Sequence, residues 1–270
     1  MKIIIIGNGF DLSLGLKTSY KDFIQSNYFT SLFYTDNSLA FYLYGQQEIN
    51  NWFDIEKELT NYSMQTNEDK SKVKNDFKEL KNALIDYLNE AQEKEINEDS
   101  KAFEMIKNEI SDTDMIYNFN YTNTIFKIAQ ILEISNIEFK HSYVHGSIEN
   151  KNIIFGVEDD ARINDNHIFL KKSSNPNFAE SNIIRVLNNS GEKINLVIFG
   201  HSLGITDSSY FSSYFARHTH GSNHAKMKLY YFGEEAYYDM MYIIDKYTGH
   251  NLTNFKHYND LEFIDSSIYP

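Results

Sequence analysis

Five short stretches of this 270-residue chain carry side chains that can do chemistry. The first is Gly7-Asn8-Gly9-Phe10-Asp11, two glycines and a carboxylate directly after four isoleucines. Glycines at a strand end let the backbone turn sharply and approach a ligand, and a helix starting there would aim its free N–H groups at a phosphate. The second is Asn120, Thr122 and Asn123, polar residues after the apolar run Met115–Phe119. Here Asn120 is expected to contact a ligand, while Thr122 or Asn123 caps the next helix. The third is His145-Gly146, a histidine closing a strand and so placed to act as a general base. The fourth, Gly200-His201-Ser202-Leu203-Gly204 with Asp207 beyond it, follows the apolar run Ile194–Phe199. It reads in two ways: as the G-x-S-x-G turn that exposes a nucleophilic serine in α/β-hydrolases, with Asp239 or Asp245 and His250 or His257 as partners, or as a second phosphate or ribose loop. The fifth, His218, His220 and His224, lacks a carboxylate at a fitting spacing; we expect no metal there.

These residues need a scaffold that gathers them. Ile3–Ile6 is a continuous apolar β-branched run, the pattern of a strand buried on both faces inside a parallel sheet. The runs at 115–119, 139–145, 194–199 and 226–232 add further strands, each followed by polar or glycine residues. In open α/β sheets ligands bind beyond the carboxyl ends of the strands, so these stretches would share one edge. His141, further back on its strand, is expected to be structural. Thr18 and Ser19 stand ready to cap a helix continued by Tyr20, Phe23 and Ile24. Between Asn37 and Ile110 the pattern is helical: apolar residues at 52, 55 and 59 form one stripe, and Val73, Phe77, Leu80, Leu84 and Leu88 form another. The expected fold is α/β, a Rossmann-like, mostly parallel sheet flanked by helices. It forms a single domain over 1–270, with a helical insertion at 37–110 after the first βα unit.

Composition narrows the function. A net charge of −13 argues against a groove that tracks nucleic-acid phosphates. No apolar run approaches the ~20 residues of a membrane span, and a four-isoleucine run after one lysine is too short for a secretory signal. The absence of cysteine removes disulfides, thiolate catalysis and cysteine-ligated zinc. A cytoplasmic α/β protein is expected.

The ordered set G-N-G-F-D-L-x-x-G-L-x-T-x-Y, W-x-x-x-E, F-N-Y-T, H-G and G-H-S-L-x-x-x-D resembles the phage abortive infection AbiH family over nearly the whole chain. That resemblance implies a bacterial antiphage protein, with a phage-derived trigger or a homo-oligomer among its partners. The same landmarks also resemble a distant version of the sirtuin-type NAD fold. Gly7 and Gly9 match its glycine turn, Asn120 its strand-end asparagine, His145-Gly146 its H-G, and Gly200 and Ser202 its G-x-S. This second resemblance implies that Asn120 orients a ribose or an attacking water and that His145 accepts a proton. Asp11 stands where sirtuins hold a small residue, and would itself supply negative charge near the anomeric carbon. The set implied to contact the nucleotide is Gly7, Asn8, Gly9, Phe10, Thr18, Thr122, Gly146, Gly200, His201, Ser202 and Asp207. Two departures stand out: Thr122 replaces an aspartate, and the missing cysteines remove the sirtuin zinc ribbon and with it protein deacetylation. Hydrolysis of NAD or a related nucleotide, as substrate and not as cofactor, is the chemistry left. A nucleotide sensor without turnover is the alternative from another class.

Overall fold

A computed structural model describes residues 1–49, 54–176, 178, 182–189, 193–221 and 224–268. The chain divides into two compact units. The first comprises Met1–Leu16, Glu95–Val144 and Glu180–Pro270, and the second Lys17–Lys94 and His145–Ala179.

The first unit is built on one six-stranded sheet: β1 (Lys2–Ile6), β2 (Met115–Asn118), β3 (His141–Tyr143), β4 (Asn195–Phe199), β5 (Lys226–Tyr231) and β6 (Asp260–Asp265). All five pairings are parallel and the order is β3-β2-β1-β4-β5-β6. This is the α/β architecture the sequence predicts, with the strand order of dinucleotide-binding Rossmann sheets. The isoleucine run explains why β1 sits in the middle. Side chains alternate across a strand, so Ile3 and Ile5 enter a core with Leu196, Ile198, Phe211, Phe215 and Ile244, while Ile4 and Ile6 enter the opposite core with Ile116, Phe103, Ile106, Ile125 and Ile128. The first core is closed by helices Ser208–Arg217 and Gly233–Tyr247, the second by Lys101–Glu109 and Thr124–Ile131.

Among the described residues from Ser38 to Glu109 there are four helices: Ser38–Ile49, Ile55–Gln65, Lys70–Gln92 and Lys101–Glu109. The stripe Val73, Phe77, Leu80, Leu84 and Leu88 is buried as its spacing predicts. Of the other stripe, Ile55 and Leu59 are buried, and Trp52 lies outside the described residues. In the second unit Phe155, from the 145–179 segment, stacks on Phe77 at 5.5 Å and meets Tyr20 at 6.1 Å.

Asn37 shows how one side chain sets a helix start there. Its carbonyl accepts from Phe41 N–H, its Oδ1 accepts from Ala40 N–H at 2.9 Å, and its Nδ2 donates to Asp76 O and Glu79 Oε2 at 3.0 and 3.1 Å. Asn37 is fully buried, so removing the amide leaves several groups without partners. Asn37→Ala is expected to cost about 2 kcal/mol, read as a lower urea midpoint. An unchanged midpoint would show that the helix start needs no cap.

The stretch after Asn251, which carries no signal in the sequence reading, forms helix Leu252–Tyr258 and edge strand β6. The strand predicted to end at His145 stops at Tyr143.

Candidate functional site

The centre of the first unit is the switch point between β1 and β4, where the strand order reverses. Here the turn after β1 and the turn after β4 are pressed together. Gly7 N–H donates to Phe199 O at 3.0 Å, Gly9 N–H to Gly200 O at 2.9 Å, and Phe10 N–H to Gly7 O at 2.9 Å. A Cβ on Gly7 would lie 2.8 Å from Gly200 O, and one on Gly9 2.7 Å from Gly200 Cα. The glycines are therefore required by the close approach of two backbones. Three of the amides expected to cradle a phosphate are committed to carbonyls of the protein. Asn8 is exposed on this turn, whereas Phe10 is fully buried, edge-on to Phe199 at 5.9 Å.

Asp11 follows from this turn. The helix Asn8–Ser13 is a turn and a half long, and its fourth residue points inward: Asp11 is 1% exposed. The end of β2 supplies its surroundings. Thr122 Oγ1 donates to Asp11 Oδ2 at 2.6 Å, a charge-assisted bond, while Asp11 Oδ1 has no hydrogen-bond partner. Thr124 is buried nearby, its hydroxyl without a full hydrogen bond of its own but close enough to favour the charge. Burial raises the Asp11 carboxyl to about 6, against the opposing pull of Thr122, Thr124 and Asn120. At neutral pH Asp11 is thus mostly ionised but easily protonated, which makes it a candidate functional group.

The β2 turn is fixed by its own amides. Asn118, at the last strand position, donates from Nδ2 to Thr122 O at 3.2 Å and accepts Asn120 N–H on Oδ1 at 2.8 Å. Asn120 then donates to Gly7 O at 3.0 Å, tying the β2 turn to the β1 turn. The structure therefore brings Gly7, Gly9, Asp11, Asn120, Thr122 and Gly200 together. Sequence reasoning missed Asn118 and Thr124. Their signal was present: each lies two residues from a member of the F-N-Y-T stretch already singled out. The expected helix cap is corrected, since Asn123 occupies the cap position of helix Thr124–Ile131 without a side-chain cap bond and the Thr122 hydroxyl is spent on Asp11.

The β4 turn folds on itself. Gly200 has φ +66° and Leu203 φ 56°. His201 is buried, its ring edge-on to Phe119 at 4.3 Å and near Phe211 at 5.1 Å. Its Nδ1 accepts from Leu203 N–H at 2.9 Å, so the hydrogen of the neutral ring sits on Nε2, 3.4 Å from Asp207 Oδ2. Asp207 stands just before helix Ser208–Arg217, and Tyr247 Oη donates to Leu203 O at 2.7 Å and Gly204 O at 3.0 Å. Ser202 is exposed and its Oγ accepts from Gly204 N–H at 3.2 Å. Among the described residues no histidine hydrogen-bonds that hydroxyl. His250 pairs instead with Asp245 at 2.7 Å on an exposed surface. The helix starts at Ser208, several residues beyond Ser202, so the turn lacks the immediate strand–serine–helix geometry of a nucleophile elbow.

Thr18, His145 and Gly146 belong to the second unit. Thr18 is buried beside Ser19, whose hydroxyl caps helix Tyr20–Ile24 through Asp22 N–H. His145 is buried and its carbonyl accepts from Ile154 N–H at 2.7 Å. In the first unit His141 packs between Phe126 and Tyr143, and burial pushes it down to about 4, a neutral packing ring. Among the described residues no group of three or more His, Asp or Glu is placed to hold a metal, and no helix is long and apolar enough to cross a membrane.

Sheet order and the polar cluster at its switch point define a Rossmann-type α/β protein with a buried ionisable carboxylate at the ligand edge of its sheet. The sequence matches the bacteriophage abortive infection AbiH family over residues 3–231, and the chain belongs to that family. Its function is accordingly phage abortive infection. No curated protein and no solved structure matches the chain.

Proposed function

We propose that the chain serves abortive infection by hydrolysing NAD, or a related nucleotide, in the cytoplasm. The observation that carries this reading is Asp11, a buried carboxylate with one unpaired oxygen at the switch point of a Rossmann-order sheet. Nicotinamide is already a good leaving group. Cleavage needs a positioned ribose and negative charge near the anomeric carbon as the bond to nitrogen breaks. The bonding pair returns to the pyridinium nitrogen and nicotinamide leaves neutral. A water oxygen bonds to the anomeric carbon, and its proton passes to bulk water. Asn120 orients the ribose or the water, and Asp11 supplies the charge. Because the Gly7 and Gly9 amides are used within the protein, the phosphates draw their contacts from other groups.

The test is nicotinamide release by the purified protein, and NAD content in phage-challenged cells, beside Asn120→Ala and Asp11→Asn. Each variant is expected to lower the rate about 10²-fold or more. Unchanged NAD in infected, protected cells overturns the reading. Tight NAD binding with no product over hours would replace hydrolysis by nucleotide sensing.

A further inference from the structure

We propose that Thr122 is a positioning residue: its hydroxyl, committed to one oxygen of Asp11, fixes the carboxylate and stabilises its charged form. This deepens the hydrolysis reading and rests on it for the chemistry that the charge serves.

The geometry carries it. Thr122 is buried and so is Asp11, and the 2.6 Å bond joins segments 111 residues apart. A hydroxyl has a single hydrogen, and this one goes to Asp11, so Thr122 cannot also donate to a ligand. Its backbone is held in turn, because Thr122 O accepts from Asn118 Nδ2. Oδ1 makes no full hydrogen bond and is closed off like the rest of the side chain, with Thr124 and Asn120 near enough to favour the charge. The groups acting on the charge of Asp11 are Thr122, Thr124 and Asn120, all neutral. With no positive partner among them, hydrogen bonds are what offset the burial of the charge. Thr122 makes the short one.

A bond indifferent to the charge of Asp11 would change stability equally at every pH, whereas one that stabilises the charged form moves its proton affinity and, with it, the acid limb of the proposed hydrolysis. The experiment is a series of urea midpoints from pH 4.5 to 8.5 for the full chain, Thr122→Val, Thr122→Ser and Thr124→Val. Each is repeated in an Asp11→Asn background to isolate the contribution of Asp11. In the parent that contribution falls between about pH 4 and the Asp11 value of about 6. In Thr122→Val its upper limit is expected to move up by about one to two pH units. Thr122→Ser keeps the parent profile, and Thr124→Val moves it by less. Where hydrolysis can be followed, the acid limb of its pH profile shifts upward with the midpoint. Should Thr122→Val not fold, carboxyl carbon NMR of the parent and of Thr122→Ser decides: Asp11 titrating near 6 in both supports the assignment. Asp11 titrating in the ordinary carboxylate range, or equal shifts in Thr122→Val and Thr124→Val, overturns it. None of these readouts uses a nucleotide. Shifted midpoints with no nicotinamide release would overturn hydrolysis alone, and release with unshifted midpoints would overturn the positioning role alone.

Discussion

Asp11→Asn is expected to stabilise the chain above pH 7 while sharply slowing the proposed nucleotide hydrolysis. Both effects have one cause. Burial lifts the folded-state carboxyl from 3.8 to about 6, so folding favours the protonated form. Between those two values the native state binds more protons than the unfolded one, and stability declines as pH rises through that window. Above it the whole penalty of the buried charge is present, and the difference corresponds to about 3 kcal/mol at most. Asparagine removes the charge and keeps the shape. Its carbonyl can still accept from Thr122, and its amide can donate to the otherwise unsatisfied Thr124 hydroxyl. A gain of about 1–3 kcal/mol at pH 7.5 is expected, vanishing below about pH 4, and urea midpoints at the two pH values measure it. Hydrolysis, which needs the charge, should fall about 10²- to 10³-fold, the usual worth of one preorganised electrostatic group. In the parent chain the same ionisation is expected to make the proposed turnover decline as pH drops through about 6. If Asp11→Asn is less stable than the parent at pH 7.5, or retains turnover, Asp11 serves structure and not chemistry.

What the sequence shows of this arrangement depends on how local the cause is. The isoleucines of β1 need no partner to be read, because a strand buried on both faces is apolar throughout. The stripe on helix Lys70–Gln92 is likewise internal to the helix. The strand β6 was harder: Leu261 and Phe263 alternate with Asp260 and Glu262, but two apolar residues on an edge strand make a short signal. The return of residues 145–179 to the helices of 17–94 depends on contacts such as Phe155 on Phe77, between segments with no shared periodicity. At the site, Asp11, Asn120 and Thr122 could each be picked out by type and position at a strand end. That Thr122 binds Asp11 and not the helix end or a ligand is a long-range fact, invisible until β1 and β2 are placed side by side.

The glycines carry the same lesson to its largest energetic consequence. Gly200→Ala is expected to cost about 4 kcal/mol or more and to yield mostly unfolded chain, through two separable terms. At φ +66° a side chain costs about 1–2 kcal/mol in any setting. The added Cβ would also lie 2.2 Å from Phe10 N and 2.4 Å from Gly9 C, and both are backbone that no rotamer change can clear. Moving either strains the bonds from Gly9 N–H to Gly200 O and from Gly7 N–H to Phe199 O, which pin the β1 and β4 turns together. Gly15→Ala separates the terms, since Gly15 has φ +85° with nothing within 4 Å of its would-be Cβ, and should cost only about 1–2 kcal/mol. Comparing soluble yield and urea midpoints of the two variants measures the close approach itself, and equal costs would mean that the two turns do not touch. Asp11 follows Phe10 directly, so any relaxation that accommodates the methyl also displaces the carboxylate from Thr122. The glycines thus act on the chemistry by holding the turn that leads into Asp11 against the β4 turn.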